Sequence, residues 1–198
     1  MKSLEHLQAF RQQGDKHVIN HEQVFDGAIF QVHRIQIHQG NHAYQRDLVH
    51  KLPAVGILAT DANQRVVLIS QWREAVAKDM LEIPAGLCDI VSTNQIEDPL
   101  TTAKRELQEE CSLVSNEWTG LNHLWTSPGF TDERMHLFRA KNVQLATDHL
   151  EAEDQAHIQL HWYDKEEIIR LIRSNDIGDM KTVLALTLWI QEENNGTI

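Results

Sequence analysis

The segment from Asp98 to Cys111 constrains this chain more than any other, because it reads as one helix with two chemically opposed faces. Asp98-Pro99 is a start signal. An aspartate side chain can accept hydrogen bonds from the free N–H groups of a first turn, and proline is tolerated at the first helical position. The spacing predicts a helix from about Pro99 to Glu110. On it, Glu106, Glu109 and Glu110 stand at i, i+3 and i+4 and share one face. Leu100, Ala103, Leu107 and Cys111 occupy a neighbouring face, about a hundred degrees round the helical wheel. One side is suited to pack on a sheet and the other to point into a cleft, and Arg105 is placed to pair with Glu109 one turn later.

Three carboxylates on one face repel each other, and hard cations with oxygen ligands are the natural way to make that arrangement favourable. Magnesium is the leading candidate, although from the helix alone a solvated acidic face is the plainer reading. The whole chain carries 29 acidic against 18 basic residues, a formal net charge of −11. That charge disfavours a surface built for the phosphate backbone of nucleic acid. An acidic protein can still act on an anionic substrate where divalent cations bridge its carboxylates to phosphate oxygens.

The remaining pattern describes one α/β domain with a small N-terminal β subdomain, a reasonable content for 198 residues. The first twenty residues are polar and carry no clear element. Val24 to Phe30 and Ile35 to Ile37 read as strands, with Gln39-Gly40-Asn41 as a turn. Val55 to Leu58 and Val66 to Ile69 are β-branched runs joined by Asp61, Ala62 and Asn63 as a hairpin loop, and the core sheet is expected to start there. Leu121 to Trp125, Met135 to Ala140 and Ile158 to Trp162 read as further strands, and Ser127-Pro128-Gly129 as a fixed bend. Helices are expected over Lys165 to Arg173, through Ile168, Leu171 and Ile172, and over Lys181 to Gln191, through Leu184, Leu188 and Ile190.

Cys88 and Cys111 are too few for a disulfide framework and are expected to be reduced and structural. The twelve histidines contain no HExxH pair, so His50, His123 and His136 receive no role. The five tryptophans read as core or interface residues, with packing favoured over base stacking for Trp72 and Trp125. No apolar run approaches the ~20 residues needed to span a bilayer, and the first twenty residues lack the apolar core of a signal peptide. The expectation is a cytoplasmic protein with neither membrane nor nucleic acid as partner.

Around the helix stand Leu81-Glu82-Ile83-Pro84-Ala85-Gly86 upstream and Glu97 just before its start, giving the ordered set Gly86, Glu97, Arg105, Glu106, Glu109 and Glu110. This set resembles the Nudix box. From Glu97 through Glu110 the family spacing is met. Ten residues rather than five separate Gly86 from Glu97, and Ser112 stands where the family has glycine. The extra residues, within Asp89 to Gln95, are expected to form a loop insertion, and Ser112 to alter how the helix ends. The resemblance continues through Val24-Phe25-Asp26-Gly27, Arg46-Asp47, Gln71-Trp72-Arg73, and Ser127-Pro128-Gly129-Phe130 followed by Glu133, and is to the ADP-ribose pyrophosphatase branch.

That resemblance implies a three-layer α/β/α sandwich with a mixed sheet, residues 1–50 forming a β subdomain that supports a homodimer and residues 51–198 the hydrolase domain. It implies magnesium, or manganese in its place, held by Glu106, Glu109, Glu110 and the carbonyl of Ala85. The implied substrate is ADP-ribose or a related nucleoside diphosphate sugar, cleaved at its pyrophosphate. Arg73, Glu82, Gly129 and Glu133 are the expected substrate contacts. The catalytic base is expected from Glu109 or from the late acidic loop of Glu151, Glu153 and Asp154, with Glu153 and Asp154 favoured. Arg105 is expected to orient Glu109. Three alternatives remain open: a pyrophosphatase for GDP-sugars or other nucleoside diphosphates, a non-catalytic regulator that binds ADP-ribose, and a cation-binding acidic domain without nucleotide specificity.

Overall fold

The computed structural model describes residues 15–93, 95–148 and 158–195. In chain order, the N-terminal part holds β1 (Lys16–Asp26), β2 (Gln31–Gln39), β3 (His42–His50), β4 (Ala54–Ala59) and β5 (Val66–Arg73). Next come β6 (Lys78–Glu82), β7 (Ala85–Leu87), β8 (Ile90–Ser92), β9 (Gln95–Ile96) and helix α1 (Pro99–Cys111). The chain continues with β10 (Leu113–Val114), β11 (Glu117–Trp125), β12 (Arg134–Lys141), β13 (Gln144–Leu145) and β14 (Gln159–Tyr163), and ends with α2 (Lys165–Arg173) and α3 (Met180–Asn195). These elements form two compact units. Unit 1 comprises Met1–Ala54, Leu87–Glu97 and His123–Met135; unit 2 comprises Val55–Gly86, Asp98–Asn122 and His136–Ile198.

In unit 1, β1, β2 and β3 form an antiparallel sheet in that order. The run Val24 to Phe30, expected as one strand, is divided. β1 stops at Asp26 and β2 starts at Gln31, with the Gly27 N–H donating to the Phe30 carbonyl at 3.0 Å. A Cβ at Gly27 would come within 2.5 Å of the Phe25 ring, so glycine permits the turn there. At the other end Gly40, at φ +56°, and Asn41 join Gln39 to its partner His42, as the turn signal indicates. β2 alternates: Gln31, His33, Ile35 and Ile37 are buried. Among the described residues Ile35 and Ile37 form a core cluster there, packed by Val18, Tyr44 and Leu48. The insertion expected as a loop within Asp89 to Gln95 lies in the two-stranded hairpin β8–β9, closed by the Glu97 N–H on the Asp89 carbonyl at 2.8 Å.

In unit 2 the two apolar runs expected to pair as a hairpin belong to different sheets, ordered β11-β12-β4-β7 and β14-β5-β6. Beyond the single bridge of Thr60 with Val66 they part company. Asp61 closes the loop locally: its Oδ1 accepts from the N–H groups of Asn63 and Arg65 at 2.9 and 2.8 Å. Both strands are covered on both faces, so they read as continuous apolar runs rather than alternating ones. Val66 to Ile69 are wholly inaccessible to solvent.

Helix α1 buries Thr102, Ala103, Leu107 and Cys111, with Leu100 only half-buried. In α3 the face expected from Leu184, Leu188 and Ile190 is half-buried, and the core face is Thr182, Ala185, Leu186 and Trp189. The apolar positions of α3 surround most of the helix, so periodicity alone misplaces its inner side. Neither cysteine is in a disulfide, and both are buried. The tryptophans divide: Trp189 is core, whereas Trp72 and Trp125 are exposed, Trp125 lying under the Arg134 guanidinium at 4.3 Å.

Candidate active site

Helix α1 is set by its ends. Asp98 Oδ2 accepts from the N–H groups of Leu100 and Thr101, each at 3.1 Å. At the other end Ser112 takes φ 54°, ψ 34°, the left-handed conformation that glycine normally supplies, and its N–H reaches the Gln108 carbonyl at 2.9 Å. The helix therefore ends where a glycine would end it, at a cost in backbone strain rather than in length.

Strand β7 lies against the acidic face. A Cβ at Gly86 would overlap the carboxylate carbon and both oxygens of Glu106, so any other residue there would displace that carboxylate. The Ala85 N–H donates to Glu110 Oε2 at 2.9 Å. Arg105 bridges the other pair, its Nη1 reaching Glu106 Oε1 at 2.8 Å and Glu109 Oε2 at 2.7 Å. The expected pairing of Arg105 with Glu109 is present, and the contact with Glu106 extends it. Burial pushes the Glu110 carboxyl up to about 8; the Ala85 N–H, Arg73 and Lys181 oppose this, while the charge of Glu106 adds to it. Among the described residues no three His, Cys, Asp or Glu side chains are already gathered in ligand geometry. The chemistry of the donor set nonetheless fits a hard divalent cation. Oxygen donors stand together on one face, and burial with the neighbouring charge of Glu106 drives Glu110 towards its neutral form.

Beside these carboxylates lies an ion-pair triad. Glu82, at the end of β6, is 3% exposed. Arg73, at the end of β5, grips it with both prongs: Nε to Oε1 and Nη2 to Oε2, each at 2.8 Å. Lys181, in the first turn of α3, donates to Glu82 Oε2 as well and pairs with Asp179 at 3.0 Å. Burial alone would raise the Glu82 carboxyl; the hydrogen bond from Arg73 and the charge of Lys181 outweigh it and hold it below its usual range. The neighbouring Thr182 hydroxyl accepts from the Ile83 N–H at 2.9 Å, which fixes the start of α3 to the residue after Glu82. Sequence reasoning missed Lys181, which lies 99 positions from Glu82 and in no motif.

Unit 1 carries the Ser127-Pro128-Gly129 turn, where the Ser127 carbonyl accepts from the N–H groups of Phe130 and Thr131 at 3.1 and 3.0 Å. Gly129 is exposed, and a Cβ there would meet nothing within 4 Å. Glu133 accepts from the Thr126 hydroxyl at 2.8 Å and pairs with Lys51 at 2.5 Å. His50, given no role from sequence, pairs through Nδ1 with Asp132 at 2.6 Å and so ties the turn to the end of β3. Arg73, Glu82, Ala85, Glu106, Glu109 and Glu110 thus belong to unit 2, and Gly129 and Glu133 to unit 1. Glu151, Glu153 and Asp154 lie outside the described residues.

Residues 50–185 match the NUDIX domain family. The ADP-ribose pyrophosphatase of Bacillus subtilis (strain 168) is 28% identical over 173 residues, covering 87% of this chain and 91% of that protein. The methanol dehydrogenase activator of Bacillus methanolicus is 31% identical over 181 residues, covering 90% and 95%. A crystal structure described as an ADP compounds hydrolase superposes with a TM-score of 0.78 at 21% identity, over 94% of this chain and 99% of that one. With the family match spanning most of the chain and the box carboxylates standing on α1 against Gly86, this protein belongs to the Nudix family and has its α/β fold.

Proposed function

We propose that this Nudix pyrophosphohydrolase splits the pyrophosphate of ADP-ribose, or of a closely related nucleoside diphosphate sugar, giving AMP and ribose 5-phosphate from ADP-ribose. The observation that carries this reading is the pairing, within one unit, of crowded carboxylates on α1 with the cations Arg73 and Lys181. Carboxylates crowded on one helix face suit a divalent cation, and a cationic fork beside them suits a phosphate. The name of the B. subtilis relative supports the substrate class.

Glu106, Glu109, Glu110 and the Ala85 carbonyl would hold magnesium, or manganese in its place. Such an ion, when bound, neutralises pyrophosphate charge and favours water as nucleophile. The protein's own groups do the rest. Arg73 holds a phosphate oxygen pair, Arg105 orients Glu109, and Glu109, Glu153 or Asp154 takes the proton from the attacking water. Glu82, Gly129 and Glu133 contribute to substrate recognition, Glu82 by positioning Arg73. Residues 1–50 form a subdomain through which a cytoplasmic homodimer assembles, and residues 51–198 form the hydrolase domain. Among the described residues no helix is long and apolar enough to cross a membrane.

The test is AMP release from ADP-ribose with magnesium, against GDP-mannose, NADH and diadenosine polyphosphates. Turnover of ADP-ribose should exceed the others, fall by at least about a hundredfold in Glu110→Gln, and cease with a chelator. Preference for GDP-mannose would move the substrate to the GDP-sugars. The B. methanolicus relative's name favours one further reading, a regulator that binds the nucleotide. ADP-ribose binding without any AMP release would establish that reading and sink the hydrolase.

A further inference from the structure

We propose that Lys181 is a positioning residue that keeps the buried Glu82 carboxylate paired, so that Arg73 is able to leave it for a substrate phosphate. The substrate in this inference rests on the pyrophosphohydrolase reading; the geometry does not.

Among the described residues Glu82 has two cationic partners of unlike character. The Arg73 side chain is 38% exposed and that of Lys181 15%, so Arg73 is the partner facing solvent. Lys181 is also the better anchored. It spans Glu82 and Asp179, and the next residue, Thr182, bonds both the Asp179 carboxylate and the Ile83 N–H. Its compact ammonium binds Oε2, which it shares with one prong of the guanidinium, while Oε1 takes the other prong. Arg73 holds Glu82 through two parallel hydrogen bonds, the pattern a guanidinium can remake on two phosphate oxygens. It also lies within electrostatic reach of Glu110, beside the acidic face of α1.

The exchange has one obstacle. A carboxylate buried as deeply as Glu82 cannot be stripped of every counter-ion without a large penalty. With Lys181 in place the departure of Arg73 leaves Glu82 still paired. Without it Arg73 becomes the sole partner and is held where it is. Lys181 therefore acts on phosphate binding through Glu82 and Arg73, with no contact of its own to substrate.

Three variants test this: Lys181→Met, Lys181→Gln as a second neutral replacement should the first not fold, and the double variant Lys181→Met with Glu82→Gln. In steady-state hydrolysis of ADP-ribose, loss of the lysine charge should raise KM about tenfold while kcat changes by no more than about threefold. The double variant, whose neutral amide no longer holds Arg73, should return KM to near the wild-type value. Calorimetric binding of inorganic pyrophosphate with magnesium should weaken and recover by the same factors. An unchanged KM and pyrophosphate affinity in the folded single variant would overturn the proposal. So would a loss that falls on kcat alone, or a double variant that fails to recover. Should the wild type hydrolyse no nucleotide at all, the hydrolase reading fails, and the dependence of pyrophosphate binding on Lys181 still decides this one.

Discussion

Strands β2 and β5 are both central in three-stranded sheets, yet they are built on opposite principles. In β5, Val66, Val67, Leu68 and Ile69 are all fully buried, so both faces of the strand lie in the core. In β2 only alternate residues are buried, and half of that inner row is polar: Gln31 and His33 beside Ile35 and Ile37. The difference shows in what each unit can hold. Unit 2 buries charged groups, among them Glu82 and Arg139, in a frame whose apolar burial far exceeds what a few ion pairs cost. Both units expose some large apolar side chains, Ile19, Phe25 and Ile29 in unit 1 and Val76, Leu145 and Met180 in unit 2.

Equivalent core deletions in the two strands should therefore differ. Leu68→Ala should destabilise the protein by about 3–5 kcal/mol, because the surrounding strands cannot collapse into the space. Ile37→Ala should cost about 2 kcal/mol, since its neighbours Val18, Tyr44 and Leu48 are only partly buried and can shift. Denaturant unfolding gives the totals, and amide exchange shows where protection is lost. Equal costs, or global loss of protection in both variants, would break the contrast between the units.

A smaller effect should separate the units by pH. His33 is held below its ordinary value by burial first and then by the charges of His21 on β1 and His50 at the end of β3. Asp132 and Asp26 oppose this in part. His21 Nε2 and His33 Nδ1 are 2.9 Å apart, and His33 Nε2 lies 3.3 Å from the Gln31 side-chain oxygen. A histidine with a depressed folded pKa contributes stability that is present above its unfolded pKa of about 6.5 and is lost as pH falls through the lower folded value. Between about pH 7.5 and about pH 5.5, exchange protection corrected for intrinsic rates should fall in β1 to β3 and hold in β4 and β5. His33→Gln should flatten that loss, and an unchanged profile in the variant would assign it elsewhere.

Legibility from sequence follows the same divide. Helix α1 was readable to within a residue because cap, proline, buried face and acidic face all agree at one spacing. Strands β4 and β5 were readable as strands, but not as members of different sheets. Pairing of doubly buried strands is decided by which neighbours supply hydrogen bonds, and a short loop at Asp61 to Asn63 suggests a hairpin whether or not one continues. The carboxylates of the candidate site lie within one short motif and carry their own signal. The bond from Lys181 to Glu82 joins residues 99 apart and carries none. The burial of Thr182 and Trp189 in place of Leu184 and Leu188 has the same origin, since tertiary packing selects one side of a helix that is apolar on several.

The smallest effect concerns the one position where the family's glycine is missing. Ser112 ends α1 at φ 54°, so the backbone meets the demand that glycine would meet and carries the strain of a Cβ in the left-handed region. Replacing it removes that strain, on the order of 1 kcal/mol, and adds back part of it as the greater freedom of glycine in the unfolded chain. Ser112→Gly should thus stabilise the protein by about 0.5 kcal/mol, read as a small upward shift in Tm. Because Glu106, Glu109 and Glu110 are positioned by the body of the helix and by β7, the ADP-ribose KM should stay as it was. A loss of stability would mean that the Ser112 side chain contributes more than its backbone costs. A changed KM with unchanged Tm would mean that the helix end, in addition to its acidic face, belongs to the site.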